Sequence, residues 1–232
     1  MVTSDRTRPT RRVGRMIAES AVIVASILLA FALDAWWDTS QRSRETADLL
    51  TALDEEFALA AAELDGTLFG HRSVVAAVDT TLRRLRAGEN RVPAGSVAWV
   101  LDAPTSDIHQ GTLTALMASG GLERLPSQQL RTLLAGWPAA VADIQEEELE
   151  ARSFVRAQLM PYLSGVTDIG VALRAGRGND TAGDIEVPAD RRLINLLEVR
   201  RSYAQRVIDE RTQSLVDDAL DEIRRELRAH LR

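Results

Sequence analysis

Asp143, Glu146, Glu147 and Glu150 crowd four carboxylates into one short stretch, the residue type and density that a cation site or an acid/base pair requires. Residues 146–148 are three glutamates in a row, and consecutive positions on a helix point round its axis rather than at one spot. The stretch therefore reads first as a solvated helix face, with a cation or partner site at Asp143, Glu146, Glu147 and Glu150 as the alternative. His71, His109 and His230 stand far apart and outside metal-binding spacings such as HExxH or ExxH, so they read as surface or loop polar residues. The sequence AGRGNDTAG, residues 175–183, has the form of one calcium-binding nonapeptide, but such sites are completed by tandem copies and there is only one. The chain has no cysteine, which excludes disulfides, thiolate metal sites and cysteine nucleophiles. Nothing resembles a phosphate-cradling glycine loop or a nucleophile elbow. The expectation is a protein that is not an enzyme and takes no cofactor and no metal.

The elements that would carry these residues are helices. Of 232 residues, 45% are hydrophobic and only 4% aromatic, and Ala, Leu, Arg and Glu dominate, the composition of long helices rather than sheets. The spacing of Leu49, Leu53, Phe57, Ala60 and Leu64 by four, four, three and four predicts an amphipathic helix. Gly66 and Gly70 weaken it, and Val74, Val75, Val78, Leu82 and Leu85 resume it until Ala87–Asn90. Pro93 and Pro104 bracket a short helix over Ser96 to Leu101, and a second runs from Thr112 to Ala118 before Gly120 and Gly121. Ser127 is the expected N-cap of a long helix through Leu130, Leu134, Trp137, Val141, Ile144 and Phe154, kinked at Pro138 and ending near Pro161. Ser164 to Pro188 reads as a long mobile loop. Asp190 caps a last helix of about 40 residues, with an outer-face pair of Asp221 and Arg225. The sum is all-α: three long helices and two short ones in an elongated bundle with coiled-coil character, preceded by one further helix.

That first helix holds ESAVIVASILLAFALDAWWD, residues 19–38. Residues 16–37 make a helix of about 33 Å, matched to a hydrocarbon core of about 30 Å, and a transmembrane helix is expected there. Glu19 and Asp34 would fall about a turn inside its edges, and Trp36 and Trp37 at an interface. Arg6, Arg8, Arg11, Arg12 and Arg15 against Asp5 give the first fifteen residues a charge of 5 − 1 = +4, leaving 23 − 33 = −10 for the rest. By the positive-inside rule this predicts a cytoplasmic tail at 1–15, a single-pass signal-anchor at 16–37 and an extracytoplasmic, periplasmic helical domain at 38–232. Residues Ala30 and Ala32 also fit a small-x-small cleavage site, so a secreted bundle cut near Ala32 is the alternative. All 28 basic residues are arginine, the mark of a GC-rich bacterial genome.

Two blocks carry a resemblance. Glu19, Val22 to Val24 and SILLAFALDAWWD resemble the N-terminal anchor of an uncharacterised family of bacterial single-pass membrane proteins, in which a Glu precedes a run of the type LIVxGILIALxxNxW. Ser26 stands where that family has Gly, Asp34 and Ala35 where it has Asn-like residues, and Trp36 on its Trp. Thr112, Leu116, Ser119, Gly120, Leu122, Leu125, Leu130, Arg131 and Leu134 fall on its second pattern, TYxxLxSSGxLxxIxxxxLRxxL, with Leu113 in place of the aromatic. The resemblance implies a topology of anchor plus helical region at a bacterial inner membrane and carries no activity.

Partners follow from these elements. Ala18, Ala21, Ala25, Leu28, Ala32 and Ala35 recur at three- and four-residue steps, a mostly small-residue stripe suited to close helix packing beside which Glu19 and Asp34 would lie. The expected role is non-enzymatic partner binding or scaffolding, as a homo-oligomer or with another membrane or periplasmic protein, in contact with membrane lipid and not nucleic acid. A periplasmic small-ligand or cation sensor is the alternative.

Overall fold

The computed structural model describes residues 10–177, 182–213 and 216–231, with side chains from Val24 onward except those of 212 and 213. It is mostly helical. In chain order the elements are α1 (Thr10–Arg86), β1 (Arg91–Pro93), α2 (Ala94–Leu101), α3 (Gly111–Ala118), a 3-10 turn (Gly121–Arg124), α4 (Gln128–Phe154), a π turn (Val155–Leu159), α5 (Met160–Val166), α6 (Ile169–Ala175), β2 (Asp184–Glu186), α7 (Arg191–Gln213) and α8 (Val216–His230). The chain forms two compact units, Met1–Leu49 and Leu50–Arg232.

In the second unit α1 buries Leu50, Leu53, Phe57, Ala60 and Leu64, and further on Val74, Val78, Leu82 and Leu85, a stripe at steps of three and four that faces the core. The helix stops where Gly88 takes φ 81°. The Gly88 and Glu89 amides then donate to the carbonyls of Leu85 and Arg84 at 3.1 and 3.0 Å, a Schellman closure that needs a left-handed residue. Ser127 caps α4 as expected, its hydroxyl accepting from the Leu130 amide at 3.2 Å. Asp190 caps α7, Oδ1 accepting from the Leu193 amide at 2.8 Å while Oδ2 accepts from the Tyr162 hydroxyl at 2.5 Å.

Side-chain pairs between helices record their register. Asp54 meets Arg228 at 3.5 Å, Asp65 meets Arg211 at 3.0 Å, Asp79 meets Arg201 at 2.7 Å, and Arg86 pairs with Glu198. Rising numbers on α1 meet falling numbers on α8 and α7, so the helices are antiparallel. Helix α4 packs on both α7 and α8, again antiparallel, with Gln129 bonded to Glu222 and Arg206 to Glu150. Apart from Asp65 with the buried Arg211, these are pairs open to solvent that contribute at most about 1 kcal/mol each; the apolar stripes supply most of the stability.

Several expectations change. Among the described residues no helix is long and apolar enough to cross a membrane, which corrects the transmembrane, signal-anchor reading of 16–37. The apolar run from Ala21, interrupted by Ser26, ends at Leu33, and Asp34, Asp38, Arg42, Arg44 and Glu45 follow; thirteen residues of helix reach only about 20 Å, short of a hydrocarbon core of about 30 Å. Of the residues that supported that reading, Arg6 and Arg8 lie outside the described residues, as do the side chains of Arg11, Arg12, Arg15 and Glu19. The stretch 164–188 is not one loop: α5 continues to Val166, Asp168 caps α6 through Gly170 at 2.9 Å, and β2 pairs antiparallel with β1, Val92 opposite Ile185. Val92, Ile185 and Val187 are buried, so this small pairing is held by the core behind it. Helix α4 runs unbroken past Pro138, and the irregularity falls instead at the π turn before Pro161, where one wider turn accommodates the missing proline N–H. The last helix is described as α7 and α8, residues 214 and 215 between them lying outside the described residues. Arg225 pairs with Glu222 rather than Asp221.

Substituting Gly88→Ala forces a Cβ into the left-handed region and is expected to destabilise the fold by about 1 kcal/mol, read as a lower Tm in thermal melts; an unchanged Tm would remove the Schellman closure from the account of how α1 ends.

Candidate functional site: a buried polar layer around residues 102–110

Helices α2 and α3 are joined by Asp102–Gln110, which has no regular structure of its own, although Ser106 and Ile108 within it are buried. Backbone removed from water must find partners, and the long helices supply them. Arg200 of α7, fully buried, donates from Nε to the Val100 carbonyl at 3.2 Å and from an Nη to the Asp102 carbonyl at 2.6 Å, a cation on the open carbonyls at the end of α2. Glu148 of α4, also buried, accepts from the Ser106 amide at 2.7 Å and its hydroxyl at 2.9 Å, and Gln145 donates to the Ser106 carbonyl at 3.3 Å. Glu63 of α1 accepts from the Asp107 amide at 3.2 Å. Glu56, two turns earlier on the same helix, accepts from the Thr112 and Leu113 amides at 2.6 and 3.0 Å. Helix α3 has no side-chain cap from its own Gln110, so a carboxylate from α1 fills that role.

His71 completes the layer. It is fully buried, and neither ring nitrogen has a hydrogen-bond partner in the structure. Burial pushes it down to about 4; the positive charge of Arg200 adds to the drop and the Pro104 carbonyl opposes it. The imidazole is therefore neutral at pH 7. Burial also lowers Arg200 to about 10, against Asp102, which leaves it charged. Glu148 moves up, driven by burial and opposed by its bonds to Ser106. One turn of α1 explains the approach of the loop: a Cβ built on Gly70 would lie 2.7 Å from Pro104 Cγ, so the glycine that weakened the helical pattern is the gap through which the segment passes.

On each long helix the layer separates apolar stretches. Leu53, Phe57 and Leu64 precede Thr67 and His71 on α1, and Val74 and Val78 follow. Leu134, Trp137 and Ile144 precede Glu148 on α4, and Ala151, Val155 and Leu159 follow. The buried Arg211 of α7 lies between Val207 and the Val216 of α8, held by Asp65 and Asp217, each at 3.0 Å.

Of the residues singled out from sequence, Asp143, Glu146 and Glu150 are exposed and Glu147 is half-buried. Glu147 and Glu150 share Arg206, at 3.4 and 3.3 Å; the four do not converge, and among the described residues no group of His, Asp or Glu could hold a metal ion. The inward carboxylate is their neighbour Glu148. Ser26, Asp34, Trp36 and Trp37 lie exposed on α1, away from the layer in sequence and in a different compact unit. His109 is exposed, its Nδ1 3.1 Å from the Asp107 carbonyl, and His230 sits 3.9 Å from Glu226. His71 departs from the expected surface placement. The signal was present: Leu64, Thr67, His71, Val74 and Val78 keep the steps of three and four, which puts both polar residues on the buried stripe.

Chemically the arrangement is a clamp. Glu148, Glu63 and Glu56 accept from this chain's own backbone amides and Arg200 donates to two of its carbonyls, while Nη1 of Arg200, like both ring nitrogens of His71, has no hydrogen-bond partner. Compared with protein-family models, curated proteins and solved structures, the chain finds no match.

Two outcomes are expected. Because the folded His71 binds its proton more weakly than an unfolded histidine, its contribution is fully present above about pH 6.5 and is lost as pH falls towards 4. Glu148, shifted up, has the opposite sign and gains on acidification, so the His71 share must be isolated by difference. The unfolding free energy of the native chain minus that of His71→Leu should fall by about 2 to 3 kcal/mol between pH 7 and 4.5; parallel pH profiles would show that His71 does not titrate in the fold. Gly70→Ala should cost about 1 to 3 kcal/mol in denaturant unfolding through the clash with Pro104, whereas Gly66→Ala, with open space around it, should be neutral or stabilising; equal effects would refute the close approach.

Proposed function

We propose that the chain is a non-enzymatic helical protein that works by association, a partner-binding or scaffolding role in which the exposed apolar stretch of α1 is the docking surface. The observation that carries this is the exposure of that stretch. Val24, Ile27, Leu28, Leu29, Phe31, Leu33, Trp36 and Trp37 are each 51–67% exposed. Together they present on the order of 900 Å² of apolar surface, above the few hundred Å² usual for the largest patch of a monomer. A helix apolar over so much of its circumference is stable in water only when covered. The polar layer supports the same reading from the other side, since its charges are committed to holding residues 102–110 and not to a substrate. The resemblance to single-pass bacterial proteins of helical build rests on its residues alone and adds no activity.

The test follows Trp36 and Trp37 in the full chain. Acrylamide quenching of the native protein is compared with that of a Trp36→Phe, Trp37→Phe double variant, and the difference isolates these two indoles from Trp99 and Trp137. A covered surface predicts quenching several-fold weaker than for free tryptophan. Quenching at the free rate would sink the association reading.

A further inference from the structure

We propose that residues 102–110 form an acid-released strap: protonation of the buried His71 frees this segment from α1 while the long helices stay packed. The proposal goes beyond the association reading and does not depend on it. The first observation is where the strap crosses. A Cβ on Gly70 would lie 2.7 Å from Pro104 Cγ, so the strap passes over α1 at the residue before His71, and the Pro104 carbonyl acts on the ring. The imidazole is fully buried there with no hydrogen-bond partner on either nitrogen. A neutral ring tolerates that site as an apolar one, whereas a charged ring needs water or a counter-ion. The charges of the layer offer no counter-ion. Arg200 of α7 is the charged group that acts on His71, and it repels an imidazolium. Glu148 of α4 is bonded to Ser106, Glu63 of α1 to Asp107 and Glu56 of α1 to Thr112 and Leu113. Asp102 of the strap is paired with Arg177 at 3.1 Å, and Arg211 of α7 with Asp65 and Asp217.

Opening the strap is the least costly way to bring water to the ring. Residues 102–110 have no helical or strand ladder to break, and within them only Ser106 and Ile108 are buried. Parting α1 from the other long helices would instead expose Leu53, Phe57, Leu64, Val74 and Val78, so the segment with few buried apolar contacts gives way first. Two groups answer acid in opposite senses. The covered His71 lies near 4, below the 6.5 of a solvated histidine; it holds the strap closed above about pH 6.5 and favours opening as pH falls towards 4. Glu148, raised by burial, favours closure on acidification. His71 prevails because nothing offsets its burial but the Pro104 carbonyl, whereas Glu148 keeps two bonds from Ser106 that offset its own.

Amide hydrogen exchange of the full chain tests both parts of the proposal. The Ser106 and Asp107 amides, bonded to Glu148 and Glu63, report the strap, and the Leu134 and Trp137 amides inside α4 report the helices. Exchange is followed from pH 7 to 4.5, each rate divided by that of an unstructured peptide at the same pH. In the native chain the strap amides are expected to lose protection on acidification while the α4 amides keep theirs. Measured against His71→Leu, whose side chain takes no proton, the extra loss at Ser106 and Asp107 should reach roughly 20- to 80-fold at pH 4.5, the ratio set by a histidine near 4 when covered and 6.5 when open. Circular dichroism checks the variant, and His71→Phe, which keeps an uncharged ring, replaces it if its helical content falls. Equal loss at the strap and in α4 would show that His71 acts on the whole fold and would overturn the strap. A loss that persists in the variant, or native protection that holds at Ser106 and Asp107 down to pH 4.5, would overturn His71 as the trigger.

Discussion

The core of the larger unit is organised by one constraint: a peptide segment without regular structure lies along it with Ser106 and Ile108 buried, and each polar group it buries must be answered there. An unanswered buried backbone group costs about 1 to 3 kcal/mol, so a loop such as Asp102–Gln110 is tolerated only if the surrounding helices donate and accept at the right heights. Arg200, Glu148, Glu63 and Glu56 do so from three helices. The consequence runs both ways. The loop is held by the bundle, and the register of the bundle is tied to the loop, because sliding α1 by one turn past α4 would take Glu63 from Asp107 while Glu148 kept Ser106.

This explains why charged residues occupy core positions at all. A buried ion pair is seldom a net gain over apolar packing, and here few of the buried charges pair with a fully buried opposite charge. Arg200 meets carbonyls and Glu148 meets an amide and a hydroxyl. Arg211 is the exception in kind: its partners Asp65 and Asp217 are much more exposed than it is, so the guanidinium is buried by its stem while its charge is answered at the rim, the way long cationic side chains reach water. His71, lacking hydrogen-bond partners, behaves as an apolar ring at neutral pH, which suits its place between Leu64 and Val74 on the stripe.

What was legible in the chain was whatever has a local cause. The caps at Ser127 and Asp190, the short helices between prolines and glycines, and the stripes of α1 and α4 depend on residues within a few positions of one another, and the structure has them. What was not legible depends on partners far away in sequence. Glu148 looked like one more member of an acidic run, and only the position of Ser106, 42 residues earlier, gives it an inward role. Gly70 read as a weak point in a helix because the chain that passes over it is not nearby in sequence. The pairing of Val92 with Ile185 failed to show for the same reason, each strand being three residues long and too short to display alternation.

Helix α1 combines both kinds of information in a single repeat. Its four-three alternation from Ala25 to Leu85 is the same throughout, yet the residues on it change character: small and large apolar at 25–36, hydroxyl-bearing at Thr39, Ser43 and Thr46, apolar again from Leu50, polar at Thr67 and His71, apolar at Val74 and Val78, and polar once more at the buried Thr81 before Leu85. The hydroxyls at 39, 43 and 46 donate back to the carbonyls of Ala35, Thr39 and Arg42 at 2.8 to 2.9 Å, so their protons are satisfied within the helix. They divide one continuous stripe into two apolar stretches. The stretch from Leu50 onward closes the core on the chain's own helices, while the large apolar side chains described before Thr39, from Val24 to Trp37, are exposed. The steps of four and three thus run from one compact unit into the other, so spacing alone does not tell which positions close a core; the side chains on it and their exposure do.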